Sequence, residues 1–228
     1  MVVLVEPDPG LRSHFHGELA EVDTRLSDLV HLVCDEVADA TEALLRNDYD
    51  QSVAIISRRH LSDPLYEQVA HQVEVLMARQ APMASDLRYL LAVIRAVPEL
   101  EQSAGLADEI ARRGGLGIAG TLTPRARALV TRSGDIVTAM WQELRRAWDT
   151  RGLVTESLDA AREELRDLHT SLTAEVAGSG LPASVTMDMA LIGRFYERLG
   201  DHATNIADRL ETLNAWAGAG STSGPVTA

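Results

Sequence analysis

The sequence predicts an all-α protein, built as two tandem antiparallel three-helix bundles related by internal duplication. Three observations carry this. Apolar residues recur at helical rather than strand spacing along six long stretches. A glycine-rich run, Gly114-Gly115-Leu116-Gly117-Ile118-Ala119-Gly120, divides those stretches three and three. The last stretch of each half also carries one pattern in register: Glu101, Ala107, Ile110, Ala111 and Arg113 recur as Glu197, Ala203, Ile206, Ala207 and Arg209. A repeat this long is a duplicated helical unit rather than a common solenoid repeat. The two units span residues 11–113 and 122–217.

Residues 1–10 end in Pro-Asp-Pro-Gly and read as a loose lead-in. From Leu11 to Arg46, one long amphipathic helix is marked by Leu19, Val22, Leu26, Leu29, Val30, Val33, Val37, Ala40 and Leu44. Asn47 and Asp48 punctuate it. The second helix runs from Asp50 to Arg79 with Ala54, Ile55, Leu61, Leu65, Val69, Val73 and Leu76 inward. Pro64 lacks a backbone donor and should kink or break that helix near Leu61 to Asp63. Pro82 suits the first turn of a third helix, which runs to Arg113 with a kink at Pro98. Thr123-Pro124 opens the fourth, with Leu129, Val130, Ile136, Val137, Met140, Trp141 and Leu144 inward and Arg151-Gly152 at its end. The fifth spans Val154 to Val176 on Leu158, Leu165, Leu168 and Leu172, and Gly178-Ser179-Gly180-Leu181-Pro182 turns the chain. The sixth spans Ala183 to Trp216, and from Gly218 the tail is small, polar and flexible. Long helices joined by short turns are the mark of bundles.

Composition agrees. Only 4% of the 228 residues are aromatic, so Leu, Val, Ile and Ala must fill the core, which favours packed helices over a sheet. A formal charge of −13 leaves no basic stripe for phosphates and excludes a nucleic-acid partner. All 21 positive residues are arginine. Cys34, the single cysteine, rules out an internal disulfide and any multi-cysteine metal site; its apolar surroundings make it a buried, inert thiol. The first residues are too short and uncharged for a signal peptide, and no stretch reaches the ~20 apolar residues of a membrane span. A cytoplasmic protein without membrane insertion is expected.

The chemistry concentrates in the sixth helix. At about 100° per residue, Glu197, Asp201 and Asp208 fall within roughly 40° of one another, with Asn205 beside them. Phe195, Leu199, Ile206 and Leu210 fall opposite. The plain reading of such a row is a solvated helix face. A bound cation is the sharper one, because it would relieve the repulsion among the carboxylates. Catalysis is not expected. A di-iron carboxylate bundle needs two Glu-x-x-His elements, and the nearest approach is Asp28-Leu-Val-His31. No nucleophile elbow and no phosphate-cradling loop is present.

At Glu197-Arg198-Leu199-Gly200-Asp201-His202-Ala203-Thr204-Asn205-Ile206 the chain resembles the PhoU family of phosphate-uptake regulators. The hallmark of that family, Glu-Arg-x-Gly-Asp-x-Ala-x-x-Ile, lies near the end of each of two homologous three-helix units. His14-Phe15-His16-Gly17-Glu18-Leu19 and Arg79-Gln80-Ala81-Pro82-Met83-Ala84-Ser85-Asp86-Leu87-Arg88 are family-like too, and the resemblance covers residues 11 to 212. It implies a non-catalytic regulator acting between the ATPase of a phosphate ABC transporter and a sensor histidine kinase, self-associating as a homodimer. It also implies metal on acidic faces. The hallmark positions Glu197 and Asp201 are then metal ligands, with Asp208 and Asn205 as geometric neighbours and Glu101 as a weaker candidate. His202 reads as a surface histidine. The alternative is a helical protein that binds a divalent cation independently of phosphate regulation.

Departures point to a divergent paralogue. In the first repeat, Gln102, Ala104 and Gly105 stand where the hallmark has Arg, Gly and Asp. Arg58-Arg59-His60 occupies a stretch where relatives tend to be acidic. The first face keeps Glu101 and gains Asp108 and Glu109, but loses its carboxylate one turn on. A cation, whether Mg²⁺, Mn²⁺ or an iron ion by the hardness of its ligands, is therefore expected on the second bundle alone.

Overall fold

Six α-helices form where the apolar periodicity places them: α1 Pro9–Arg46, α2 Tyr49–Arg79, α3 Ala84–Gly115, α4 Pro124–Asp149, α5 Leu158–Gly178 and α6 Ala183–Ser221. A single 3₁₀ turn, Ile118–Thr121, joins the halves, and among the described residues there is no strand. The computed structural model describes residues 9–79, 82, 84–154 and 158–221, the side chains of 9–11, 211 and 217–221 excepted. The expected lead-in therefore lies largely outside the described residues, as do 155–157 at the start of the fifth helix and the end of the tail. Where the tail is described, α6 continues to Ser221 instead of fraying at Gly218. Trp216 anchors this end, stacking on Tyr89 at 4.3 Å and donating from Nε1 to Asp86 at 3.1 Å.

The helix ends follow local chemistry. After α1, Asn47 takes a left-handed φ of 52°, and the amides of Asn47 and Asp48 return to the carbonyls of Leu44 and Ala43. That double return satisfies carbonyls the helix leaves open, and Asn tolerates the conformation. The same motif closes α4. Arg151 has φ 52°, and the amides of Arg151 and Gly152 reach Trp148 and Ala147. At the start of α4 the Thr123 hydroxyl accepts from the Ala126 amide at 3.0 Å, with Pro124 in the first turn.

Pro64 and Pro98 are exposed, and both helices run through them unbroken, so Pro64 does not break α2. The inward face of α2 also differs: Ile55, Val69, Val73 and Leu76 are buried, but Ala54, Leu61 and Leu65 are exposed, Leu61 at 77%. Ser52, Ser62 and Tyr66 are buried in their stead. The buried stripe steps by three and four through 52, 55, 59, 62, 66, 69, 73 and 76, the spacing of a bundle seam. Polar residues occupy four of its first five positions, so apolar periodicity alone selected the wrong face.

The halves pack side by side. α1 lies against α4 and α3 against α6, while α2 packs on α1 and α3 and α5 packs on α4 and α6, flanking the central four. One buried apolar cluster runs through both halves. Ion pairs rim the α1–α4 seam, Asp23 with Arg151, His31 with Asp149 at 2.6 Å and Asp35 with Arg145 at 2.8 Å. Their order makes the two helices antiparallel. Between α3 and α6, Asp86 meets Trp216 and Arg113 meets Asp188, again antiparallel. Midway, Arg198 Nη2 donates to Gln102 Oε1 at 3.0 Å. These two residues are counterparts in the repeat, and a residue touches its own counterpart only where the two-fold relating the halves passes. Cys34 lies on the α1–α4 seam, its thiol donating to the Trp141 carbonyl at 3.2 Å; burial pushes its pKa up to about 12.

Gly114 belongs to this packing rather than to a linker. A Cβ there would lie 2.9 Å from the backbone of Ala43 and Leu44, whereas at Gly115 it would meet Ser52 at an ordinary 3.5 Å. Gly114→Ala is therefore expected to lower stability by about 1–3 kcal/mol. Gly115→Ala should be neutral or slightly stabilising. Urea denaturation of the two variants checks the contrast, and equal effects would contradict the close α1–α3 approach.

Candidate functional site

The polar row on α6 is shared among different neighbours. Glu197 and Asp201 turn toward α5, Asn205 and His202 toward α3, and Asp208 is exposed. Gly200, in the middle of the hallmark, makes room for α5: a Cβ there would lie 2.6 Å from a Leu165 methyl.

On the α5 side the carboxylates meet basic side chains. Arg194 Nη1 lies 2.8 Å and His169 Nδ1 2.9 Å from Glu197 Oε2. Arg166, from α5, stands between the two acids, with Nε 3.8 Å from Glu197 Oε1 and Nη2 3.6 Å from Asp201 Oδ1. Its Nη1 donates to Glu163 at 3.0 Å. Burial alone would raise the Glu197 pKa; hydrogen bonds and charge from Arg194 and His169 outweigh it and hold the carboxyl below its ordinary value.

The first bundle places another arginine at the corresponding point. Arg59, from α2, contacts Asp63 at 2.6 Å and donates from Nη1 to the Glu101 carbonyl at 2.8 Å. It lies over Gly105, where an added Cβ would be 3.7 Å from Nη1. Arg59 is thus the seventh-spaced member between Ser52 and Tyr66 on the buried α2 stripe, and its side chain is only 17% exposed. Beneath it lies Glu36, 1% exposed, with no hydrogen-bond partner for either oxygen among the described residues. Burial pushes the Glu36 pKa up to about 7; Arg59 and Arg58 pull it back, while Asp108 and Asp63 add to the rise. The Tyr66 hydroxyl is likewise without a partner among the described residues, and burial, then the charge of Glu36, pushes its pKa up.

Sequence reasoning placed His202 at the surface. It is instead 6% exposed in the α3–α6 interface, with Nδ1 2.8 Å from the Ser103 hydroxyl and Nε2 3.5 Å from Glu99. Burial, its largest influence, lowers its pKa. Asn205 donates to the same Glu99 at 3.1 Å. Both positions are polar, and nothing in the local pattern shows that the other half covers them. The contact also accounts for Gln102: an arginine there would set a second guanidinium against Arg198. The other two family-like stretches, 14–19 and 79–88, meet as well, His16 Nε2 lying 3.9 Å from Asp86.

Among the described residues, no three His, Cys, Asp or Glu side chains gather as a metal site. The structure brings Glu197 and Asp201 together on one arginine, and leaves Asp208, Asn205 and Glu101 apart from them. Arg59 and Arg166 are the residues that sequence reasoning undervalued. The departure at Arg58-Arg59-His60 was the only signal for the first, and no signal marked the second.

Comparison with known proteins identifies the architecture. A family model described as the PhoU domain matches residues 26–114 and again 130–210. The phosphate-specific transport system accessory protein PhoU homolog of Rhizobium meliloti is 30% identical over 207 residues, covering 88% of this chain and 86% of that protein. The PhoU homolog 2 of Mycobacterium tuberculosis is 30% identical over 208 residues, covering 88% and 96%. Among solved structures, PhoU from Pseudomonas aeruginosa superposes with a TM-score of 0.79 at 25% identity, over 87% of this chain and 98% of that one.

The Glu36 environment predicts a pH dependence. Its carboxyl holds a proton in the folded chain up to about pH 7 and loses it near the ordinary glutamate value of 4.5 when unfolded. The folded state therefore binds the extra proton between those values, and this group's contribution to stability falls as pH rises through that window. Glu36→Gln, which cannot ionise, is expected to gain about 2–3 kcal/mol over the wild type at pH 8 and almost nothing at pH 4. Chemical denaturation at the two pH values tests this; a difference independent of pH would contradict it.

Proposed function

The chain belongs to the PhoU family, and from that membership we propose that it is a non-catalytic, cytoplasmic regulator of phosphate uptake and phosphate signalling. It acts by protein contacts, docking on the ATPase of a phosphate ABC transporter and on a sensor histidine kinase, and damping both when phosphate is plentiful. The observation that carries this reading is the recurrence of the family domain in both halves of the chain, in relatives whose names place them with the phosphate-specific transport system.

Physical features support it. The candidate site offers paired charges, and the one hydroxyl described there against an imidazole, Ser103 on His202, is buried between the halves, an arrangement suited to recognition rather than turnover. Among the described residues no helix is long and apolar enough to cross a membrane, so a membrane-bound partner would be met at its soluble face. The charge of −13 favours basic surfaces on the partner and a salt-dependent association. Self-association as a homodimer is part of the same reading, with Leu61, Leu65 and Met187 among the large apolar residues left exposed.

Removal of the chain from its host tests the proposal. Phosphate uptake and output of the phosphate-responsive kinase are expected to stay high in phosphate-rich medium, where the unmodified host shuts both down. Affinity capture with the full chain should recover the transporter ATPase and the kinase, more in high phosphate than in low. Unchanged uptake and signalling in the deletion strain would overturn the proposal. For the dimer, light scattering should give twice the 24.7 kDa chain mass at micromolar concentration.

A further inference from the structure

We propose that this chain sets its own arginines, Arg59 in the first bundle and Arg166 in the second, over the hallmark segments of its last helices, in place of the divalent cation that the family resemblance puts there. The two arginines come from the middle helix of each bundle and reach one spot on the last helix. Arg166 spans Glu197 and Asp201, which stand one turn apart on α6. Arg59 reaches the carbonyl of Glu101 and covers Gly105, the counterparts of those same two positions on α3. One guanidinium over each hallmark is a structural rule of this molecule rather than an isolated surface pair.

The donor set fails the requirements of a cation. Hard divalent ions take six or more oxygens, several of them carboxylate. Here Glu197 is engaged by Arg194, His169 and Arg166, and Asp201 by Arg166. Asn205 is turned away to Glu99, and Asp208 is exposed. Although His169 meets Glu197, no three His, Cys, Asp or Glu side chains gather as a metal site among the described residues. An incoming ion would have to displace Arg166 and bear the repulsion of Arg194. In the first bundle the exclusion is stronger, because Gly105 supplies no ligand and Arg59, only 17% exposed, already sits on Asp63 and above Glu36.

Guanidinium suits this role. It stays protonated throughout the physiological range and its planar fork can face two carboxylates at once. Unlike a metal it cannot be lost to a chelator, so the folded state carries no linkage to metal concentration. Glu197 and Asp201 keep their place because each has a covalently tethered counter-charge.

Thermal unfolding and calorimetric titration with Mn²⁺ test the proposal, and neither depends on regulatory activity. The full chain is compared after EDTA treatment and in millimolar Mn²⁺, with anaerobic Fe²⁺ as a second probe. The wild type is expected to unfold at one temperature in all conditions and to bind no stoichiometric ion. Arg166→Ala should bind Mn²⁺ at least about tenfold more tightly than the wild type, and its midpoint should rise with the ion. Arg166→Gln, a shorter side chain that stays polar without the charge at this half-exposed position, repeats the measurement should the alanine variant be poorly folded. Stoichiometric Mn²⁺ or Fe²⁺ on the wild type, or Arg166 variants that bind Mn²⁺ no more tightly, would overturn the proposal.

Discussion

The antiparallel packing of α3 against α6 is the constraint on which the rest of the molecule depends. It sets Gln102 against Arg198, each the repeat counterpart of the other, and so fixes where the two-fold between the halves runs. With that axis in place, α1 must lie against α4, and α2 and α5 are left as flanks. The same packing buries one side of each hallmark helix. His202, Ser103, Asn205 and Glu99 become a buried polar contact between halves, each side chain given a partner by the other half. Buried polar groups without such partners are costly, which ties this cluster to one relative placement of the bundles.

The sides of the hallmark helices that remain open are left with acids, and each open side is met by an arginine from the neighbouring flank helix. On the second bundle the compensation is half-exposed and worth little to stability by itself. On the first it reaches inward, where Arg59 takes a position of the α2 core stripe and Glu36 lies buried beneath it. A carboxyl held there without a hydrogen-bond partner among the described residues is a local weakness, and its raised pKa is the expression of that weakness. The two halves, duplicated in backbone, therefore differ in electrostatics: the arginine of one is drawn inward over a buried carboxyl, and that of the other stays at the surface.

Legibility in the sequence tracks the range of the interaction involved. The six helices, their caps at Asn47, Thr123 and Arg151, the repeat and the buried Cys34 all depend on residues within a few positions of one another, or on a periodicity that spans a whole helix. The inward face of α2 was misread because Ser52, Arg59, Ser62 and Tyr66 weaken the apolar signal on the true seam while Leu61 and Leu65 strengthen a false one. The glycine run looked like a linker, yet Gly114 is helical and serves a backbone contact with Ala43. At the candidate site, the proximity of Glu197 to Asp201 was legible from one turn of helix; the presence of Arg166 between them was not.

By itself the sequence determined an all-α chain of two duplicated three-helix units and the pattern of acids on its last helix, because helical periodicity and capping are local properties of the backbone. Only the tertiary structure decided which of those acids stand free, which are paired and with what. Glu197 meets His169, Asp201 meets Arg166 and Asn205 meets Glu99 across gaps of tens of residues or more. A counter-charge acts through space, over a few ångströms, and its distance along the chain carries no trace of it.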